Sequence, residues 1–193
     1  SFSRISEVTL ATENLDTIIA QISEHEAKYL WCGESIDSPP SGIYISEECY
    51  YMNNRGYVFD RAPYFSGEDY LKFYGKAQEE SQIGADYPIG SNYMDTKKFL
   101  ELISLKDTVT YMDLNPAIFY INEYKDVTMI LSNKGGVSGP KIIFKADTEY
   151  KEVVENLQAV LDTEPLKSSF RQNYSSIEYI DLRFGNKVYF KSK

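Results

Sequence analysis

The alternation of apolar and polar residues is clearest at the end of the chain, on either side of Gly185-Asn186. Before this dipeptide, one face carries Ile180, Leu182 and Phe184, and the other carries Tyr179, Asp181 and Arg183. After it, Val188 and Phe190 alternate with Lys187, Tyr189 and Lys191. The pattern predicts a β-hairpin with glycine first in a type II′ turn.

A last strand has no onward connection, so we expect it at the edge of a sheet. Edge strands carry unpaired backbone donors and acceptors, and a partner strand can add to them. The other interpretation is a strand that simply completes the fold.

The first third of the chain is rich in β-branched and aromatic residues, which favour strands. We predict a strand from residue 5 that ends near residues 12–14, then strands over residues 17–22 and 27–32. The segment 49–52 is predicted to form a hairpin with 57–59, around a turn at residues 53–56. Residues 61–91 lack periodicity and predict a long surface excursion.

Two helices are predicted in the second half. The first spans 95–105, capped by Asp95 or Thr96, with Phe99, Leu102 and Ile103 on one face. The second is capped by Asp147-Thr148 and ended by Pro165. Its apolar face comprises Val153, Val154, Leu157, Val160 and Leu161.

Short strands are predicted over residues 109–112, 118–121, 127–131 and 142–145, with a turn at 133–136. Many strands and two main helices predict an α+β fold built on a mostly antiparallel sheet.

The 193-residue chain is long enough to bury a core, and its net charge is −9. That charge argues against nucleic acid and anionic membrane surfaces as partners. The sequence has no apolar run of membrane-spanning length and no signal peptide. Because it begins at Ser1, we expect a piece of a longer protein, with any membrane anchor upstream.

The two cysteines, Cys32 and Cys49, flank a loop containing Pro39-Pro40. They are candidates for a disulfide, which would stabilise the fold by about 3 kcal/mol on loop-entropy arguments. Two buried free thiols are the alternative. A disulfide, together with 17 tyrosines, would favour a location outside the cytoplasm.

The sequence suggests no catalytic residues, cofactor or metal. Its single histidine, His25, lies between two glutamates, and no Ser-His-Asp or Cys-His arrangement can be assembled around it. Two cysteines and one histidine do not make a zinc site, because such a site needs four ligands. The glycines at residues 135–139 lack the Gly-Lys-Ser/Thr ending of a phosphate loop. None of these residues forms an active site that we would assign from the sequence.

Three segments, taken in order, resemble the β domain of FtsQ/DivIB-type bacterial cell-division proteins over residues 27–193. The first is residues 27–31, followed after a loop by residues 49–59, which contain Gly56-Tyr57-Val58-Phe59 and are similar to a hairpin of that family. The second is the strand–turn–strand–helix segment from residue 127 to residue 161. The third is Ile180-Asp181-Leu182-Arg183-Phe184, which is similar to the closing strand of that family. Residues 1–26 resemble the final hairpin of the preceding POTRA domain.

The resemblance implies a non-enzymatic, extracytoplasmic scaffold, held by one N-terminal membrane helix in the full-length protein. Members of this family hold FtsB/DivIC-like and FtsL-like coiled-coil proteins in the division complex, and the partner pairs with the last strands. The implied contact residues are Tyr179, Asp181, Arg183, Phe184, Gly185, Lys187, Val188, Tyr189 and Phe190. For Arg183, an internal ion pair with Asp181 or with a neighbouring strand is an equal alternative.

Two other functions remain open at this stage. One is an envelope peptide-binding or chaperone-like module unrelated to division, which would bind extended peptides of many sequences through the same edge. The other is an envelope hydrolase, which would require a pocket with convergent carboxylates.

Overall fold

The computed structural model describes residues 2–14, 16–33, 49–63, 69–75, 96–132, 139–172 and 176–193. Strands predominate over helices in this part of the chain, and the fold is α+β. The cap at Asp95, the turn at 133–136 and the glycines at 135–138 lie outside the described residues.

Eleven strands and three helices lie in the described ranges. The strands are β1 Ile5–Glu13, β2 Thr17–Glu24, β3 Tyr29–Trp31, β4 Cys49–Met52, β5 Val58–Ala62, β6 Leu71–Gly75, β7 Pro116–Ile121, β8 Asp126–Leu131, β9 Lys141–Lys145, β10 Ile177–Phe184 and β11 Lys187–Ser192. The helices are α1 Thr96–Thr110, α2 Tyr150–Leu161 and α3 Leu166–Gln172.

Nine of these strands form one mixed sheet in the order β11-β10-β9-β8-β7-β6-β3-β4-β5. The pairs β9–β10, β3–β6 and β6–β7 are parallel, and the other five pairs are antiparallel. The prediction of a mostly antiparallel sheet is confirmed for the described residues. Strands β11 and β5 are its two edges.

The helices pack on one face of this sheet, where their apolar residues join the larger hydrophobic core. This core contains Phe99 and Leu102 of α1, Val153 and Leu157 of α2, and Phe170 of α3. A smaller cluster around Leu30, Tyr74 and Ile118 contains no helical residue and lies on the opposite face.

The predicted surface excursion at 61–91 is wrong at residues 61–62, which end β5, and at residues 71–75, which form the interior strand β6. Leu71, Phe73 and Tyr74 are buried, and β6 pairs in parallel with both β3 and β7. A short strand covered on both faces shows little alternation of apolar and polar residues, so its pattern is weak. Residues 64–68 and 76–91 lie outside the described part.

The predicted strand at 109–112 is also wrong, because α1 continues to Thr110. Leu102, Leu105 and Val109 are all buried, so the helical period continues through the β-branched run. The hydroxyl groups of Thr108 and Thr110 donate hydrogen bonds to the carbonyls of Ser104 and Lys106, four residues earlier.

The second helix has the predicted apolar face but a different start. Its N-cap is Glu149, which makes no side-chain capping bond, so the cap predicted at Asp147-Thr148 is wrong. Tyr150, Val153 and Leu157 are its buried residues. The short helix α3 was not predicted; it places Leu166 and Phe170 in the larger core.

Cys32 and Cys49 form a disulfide, with an S–S distance of 2.04 Å, which confirms the predicted pairing. Both residues are buried and belong to the smaller core. The bond joins the end of β3 to the start of β4, adjacent strands in the sheet.

The predicted hairpin at 53–56 is confirmed. Gly56 has φ +84°, and a Cβ there would lie 2.7 Å from the Phe99 ring, so both conformation and space require glycine. The predicted strands β1 and β2 are both present, and they pair with each other in a two-stranded sheet separate from the large one.

Candidate functional site

The terminal hairpin joins β10 to β11 through the two-residue loop Gly185-Asn186, with Phe184 opposite Lys187. Gly185 has φ +63°, as the first position of a type II′ turn requires. Asn156 of α2 donates a hydrogen bond of 3.3 Å from its amide to the Gly185 carbonyl. The turn is thus held against the helix layer.

Strand β11 lies at one edge of the large sheet, as the sequence predicts. Its only strand neighbour among the described residues is β10. Every β11 residue is exposed except Val188, which packs against the larger core. Alternate backbone N–H and C=O groups of an antiparallel edge strand point away from the sheet, where another strand can bond to them.

Three aromatic side chains are exposed on the hairpin. Phe184 is 53% exposed and Tyr189 is 52% exposed, and their rings meet edge to face with centroids 5.2 Å apart. Phe190 is 41% exposed and lies opposite Ile180. These rings offer an apolar contact surface beside the free edge.

Arg183 lies in a network of four charged side chains. Its Nε and Nη2 contact the two carboxylate oxygens of Asp181 at 2.9 and 2.6 Å. Its Nη1 lies 2.7 Å from Asp126 Oδ2, and Lys145 Nζ lies 2.6 Å from Asp126 Oδ1. The carboxylates of Asp126 and Asp181 each lie in ion-pair contact with cations within the sheet.

These contacts shift the pKa values of Asp126 and Arg183. Burial raises the pKa of Asp126, but the hydrogen bonds and charges of Lys145 and Arg183 outweigh burial and hold that pKa below its usual value. The hydrogen bonds from Arg183 to Asp181 and Asp126 raise the pKa of the guanidinium, despite partial burial. Arg183 therefore stays charged at any working pH.

Lysines dominate the outer strand, although the whole chain is acidic. Lys187, Lys191 and Lys193 lie within the last seven residues, which contain no acidic side chain. Lys191 Nζ lies 2.7 Å from Glu178 Oε2. That hydrogen bond lowers the pKa of Glu178 and raises the pKa of Lys191.

The predicted contact residues divide into two groups. Seven of them remain accessible: the exposed ones are Phe184, Gly185, Lys187, Tyr189 and Phe190, and the half-buried ones are Tyr179 and Val188. Asp181 is buried and bound to Arg183, so for these two residues the structure has the internal ion pair that was the alternative to a partner contact.

Sequence reasoning missed Asp126 and Lys145 in this network. Asp126 begins β8 and Lys145 ends β9; β9 lies next to β10 in the sheet, and β8 lies on the far side of β9. Asp126 is 57 residues from Arg183 in sequence, so no local spacing could have indicated the contact. The parallel pairing of β9 with β10 and the antiparallel pairing of β8 with β9 together bring them close.

His25 has structural contacts in the fold. Its Nδ1 lies 3.1 Å from the amide nitrogen of Asn53, and its ring lies 4.7 Å from that of Tyr57. Within the described ranges, no group of three or more His, Cys, Asp or Glu residues could hold a metal ion.

A cavity of about 760 Å³ opens near the C-terminal ends of α1 and α2. Two carboxylate residues, Asp113 and Asp162, are among its lining residues, and Tyr111, Leu161 and Phe170 supply apolar walls. Two carboxylates on one cavity are a minimum requirement of the hydrolase alternative, so this cavity is the place to test it.

No helix in the described part of the chain is long and apolar enough to cross a membrane. Comparison of the sequence with protein-family models, and with curated proteins, finds no match.

Proposed function

We propose that this protein is a non-enzymatic scaffold of the bacterial division complex, acting on the extracytoplasmic face of the cell membrane. In this proposal it binds FtsB/DivIC-like and FtsL-like proteins by β-strand addition. The supporting observation is the position of β11, an exposed terminal strand at the edge of the large sheet. The resemblance of residues 180–184 to the closing strand of the FtsQ/DivIB family supplies the identity of the partner.

The chemistry of the edge favours a particular kind of partner segment. Backbone pairing would supply affinity, and alternating side chains would supply selectivity. Lys187, Lys191 and Lys193 favour an acidic segment, and the rings of Phe184 and Tyr189 favour one that also carries apolar side chains. Edge lysines also discourage indiscriminate strand pairing, which suits a selective site.

The network around Arg183 supports this proposal in a different way. It ties β10 to β8 through Asp126, so the strand that carries β11 is fixed before a partner arrives. A preformed edge loses less conformational entropy on binding than a mobile one. We therefore assign Arg183 and Asp181 to positioning the hairpin.

The proposed location has its own support. Disulfides persist in oxidising compartments, and Cys32 and Cys49 are paired. Anchoring by an N-terminal membrane helix in a longer form of the protein is part of the same proposal.

The test is calorimetric titration of this chain with the membrane-proximal segment of the FtsB-like protein from the same bacterium. Two single proline variants, Tyr189→Pro and Phe190→Pro, are compared. Neighbouring residues of an edge strand direct their N–H groups to opposite sides, so one variant loses an outward donor and the other loses an inward donor. We expect the variant that loses the outward-pointing N–H donor to stay folded and to bind the segment at least tenfold more weakly.

Tyr189→Ala and Phe190→Ala are the matched controls, because they remove the same side chains and keep the backbone donors. Circular dichroism of each variant reports folding. Binding that both folded proline variants retain would overturn strand addition at β11. Equal binding of unrelated extended peptides would replace the division scaffold with the general peptide-binding module.

A further inference from the structure

The β1–β2 hairpin contacts the large sheet through its base. Within the described ranges, no residue of β1 or β2 forms a hydrogen bond, ion pair or ring contact with that sheet. All residues of the two strands are exposed except Ile5, which is half-buried. The orientation of the hairpin relative to the sheet therefore depends on the residues at its two ends, Arg4 and His25.

These end residues contact the β4–β5 part of the large sheet. The backbone N–H of His25 donates a 2.8 Å hydrogen bond to the carbonyl of Arg4, which closes the base of the hairpin. Arg4 Nε lies 3.4 Å from Asp60 Oδ2, and His25 Nδ1 lies 3.1 Å from the side-chain nitrogen of Asn53. We call these four residues the junction. Because the Arg4 side chain is largely exposed, its ion pair contributes little, and the half-buried contact of His25 with Asn53 is the more important one.

The orientation of the Asn53 amide is fixed by its own turn. Its Oδ1 accepts hydrogen bonds from the backbone N–H groups of Arg55 at 2.9 Å and Tyr57 at 3.1 Å. A flipped amide would point its NH2 group at these two donors and lose both bonds. Nδ2 of Asn53 therefore faces His25, and because Nδ2 only donates, His25 Nδ1 must accept. An imidazole that accepts at Nδ1 is neutral, with its proton on Nε2.

Protonation of this ring breaks the contact with Asn53. It adds a hydrogen to Nδ1, so that two donors face each other across 3.1 Å. The rings of Tyr57 and Phe59, with centroids 4.7 and 5.5 Å from that of His25, can stack on either form of the imidazole. Asn53 is therefore the neighbour that distinguishes neutral from protonated histidine. Histidine ordinarily changes charge between about pH 5 and 8.

The charged groups around His25 favour release of a protonated ring. Glu24 and Glu26 are its neighbours in the chain, both are exposed, and Glu26 pairs with Lys28. Exposed carboxylates attract a cationic imidazole towards solvent and away from Asn53. The other charged or titratable groups on the adjoining elements are Arg4, Tyr51, Arg55, Tyr57 and Asp60.

We propose that the junction is pH-sensitive. Neutral His25 accepts the hydrogen bond from Asn53 and holds the β1–β2 hairpin in its present orientation, whereas protonated His25 releases the hairpin. The junction is closed at neutral and higher pH, and it opens as the pH falls through the titration of the ring. It lies on the β5 side of the large sheet, and β11 is the opposite edge. The proposal therefore does not depend on the function proposed for the terminal strand.

The first test uses the native chain. Nitrogen-15 chemical shifts of the imidazole report which ring nitrogen carries the proton, and His25 is the only histidine, so its signals need no further assignment. We expect a proton on Nε2 at about pH 7.5. On acidification, the side-chain amide resonances of Asn53 should change with the same midpoint as the ring. A proton on Nδ1 at about pH 7.5 would overturn the proposal.

The second test measures the movement of the hairpin relative to the large sheet. Nitrogen-15 relaxation should give hairpin and sheet amides one correlation time at about pH 7.5, with independent motion of the hairpin at about pH 5.5. The population of the released hairpin should rise about fivefold, the factor that one ordinary hydrogen bond supplies. A hairpin that is equally rigid at both pH values would overturn the proposal.

Two substitutions separate a pH-sensitive junction from a merely structural contact. Asn53→Asp keeps an oxygen for the N–H groups of Arg55 and Tyr57 and turns a second oxygen towards His25 Nδ1. A protonated ring can donate to that oxygen, so the pH dependence should invert, and the hairpin should become more mobile as the pH rises. His25→Phe keeps an aromatic ring beside Tyr57 and removes the titration, so its hairpin should be equally mobile at both pH values.

Circular dichroism reports whether each variant is folded. Glu26→Gln is the matched control for the neighbouring charge, and it should keep the direction of the native pH dependence. A folded Asn53→Asp protein with the native direction of pH dependence would overturn the proposal. The native pH dependence in His25→Phe would also overturn it, because carboxylates would then be the cause. If a variant fails to fold, the ring nitrogen shifts of the native chain still decide.

Discussion

Arg183 donates two hydrogen bonds to the carboxylate of Asp181, from Nε at 2.9 Å and from Nη2 at 2.6 Å. Its third contact, to Asp126, reaches from β10 to β8 across the intervening strand β9. The guanidinium thus links β10 to β8 near the free edge, and Lys145 of β9 joins the network through Asp126. Its removal would leave two largely buried carboxylates with fewer cations.

Arg183→Met should lower the free energy of unfolding by about 1–3 kcal/mol. Removing one partner of a buried ion pair destabilises a fold by up to about 5 kcal/mol, and the partial exposure of the Arg183 side chain reduces that figure. Urea denaturation measures the change. Lys187→Met, on the exposed outer strand, is the control and should change stability by less than about 0.5 kcal/mol.

The same variant separates the two roles of Arg183. A stable Arg183→Met protein that no longer binds the FtsB-like segment would make Arg183 a partner contact. A destabilised variant that binds with native affinity once folded would support the internal role.

Stability should fall in acid more steeply in the native chain than in Asp126→Asn. The folded-state pKa of Asp126 lies below its ordinary value of 3.8, so its ion pairs stabilise the fold above that value. The stabilisation is lost as the pH falls through the folded-state pKa. The measurement is the urea denaturation midpoint of both proteins at a series of pH values from neutral to below 3.8. Midpoints that fall in parallel with pH in the two proteins would contradict the prediction.

Removing the disulfide should destabilise the fold by about 3 kcal/mol, because a cross-link of this loop length limits the unfolded chain. The variant is Cys32→Ser with Cys49→Ser, compared by thermal unfolding. Reductant should lower the melting temperature of the native chain and leave that of the variant unchanged. An equal effect of reductant on both would indicate that it acts elsewhere.

Asp162→Asn should raise the free energy of unfolding by about 0.3–1 kcal/mol. Asp162 is the C-cap of α2, where the helix dipole disfavours a negative charge. Chemical denaturation measures the gain, and Asp147→Asn, before the helix, is the comparison. A loss of stability would mean that the carboxylate makes a favourable interaction in the cavity, which would strengthen the hydrolase alternative.

Local pattern predicted the terminal hairpin, the strands β1 and β2 and the apolar face of α2, because each depends on neighbours in sequence. It failed at Val109, where β-branched residues favour a strand by propensity but the buried spacing from Leu102 and Leu105 continues the helix. Tertiary packing decided that segment.

The candidate site shows the same division. Alternation and the Gly185-Asn186 turn identified the edge strand and its exposed side chains. The network that holds Arg183 depends on Asp126 and Lys145, which the order of strands brings close and which no sequence motif indicates.

Strand β6 has a consequence for the order of folding. The group β3–β4–β5 and the group β7–β8–β9 are each antiparallel runs of strands consecutive in the chain, and β6 joins them by parallel pairing on both sides. Each run can form through short-range contacts, whereas β6 must close two long loops, which is entropically slow. Substitutions at Phe73 should therefore slow the step in which the two runs join into one cooperative sheet. Substitutions within either run should instead slow the formation of that run.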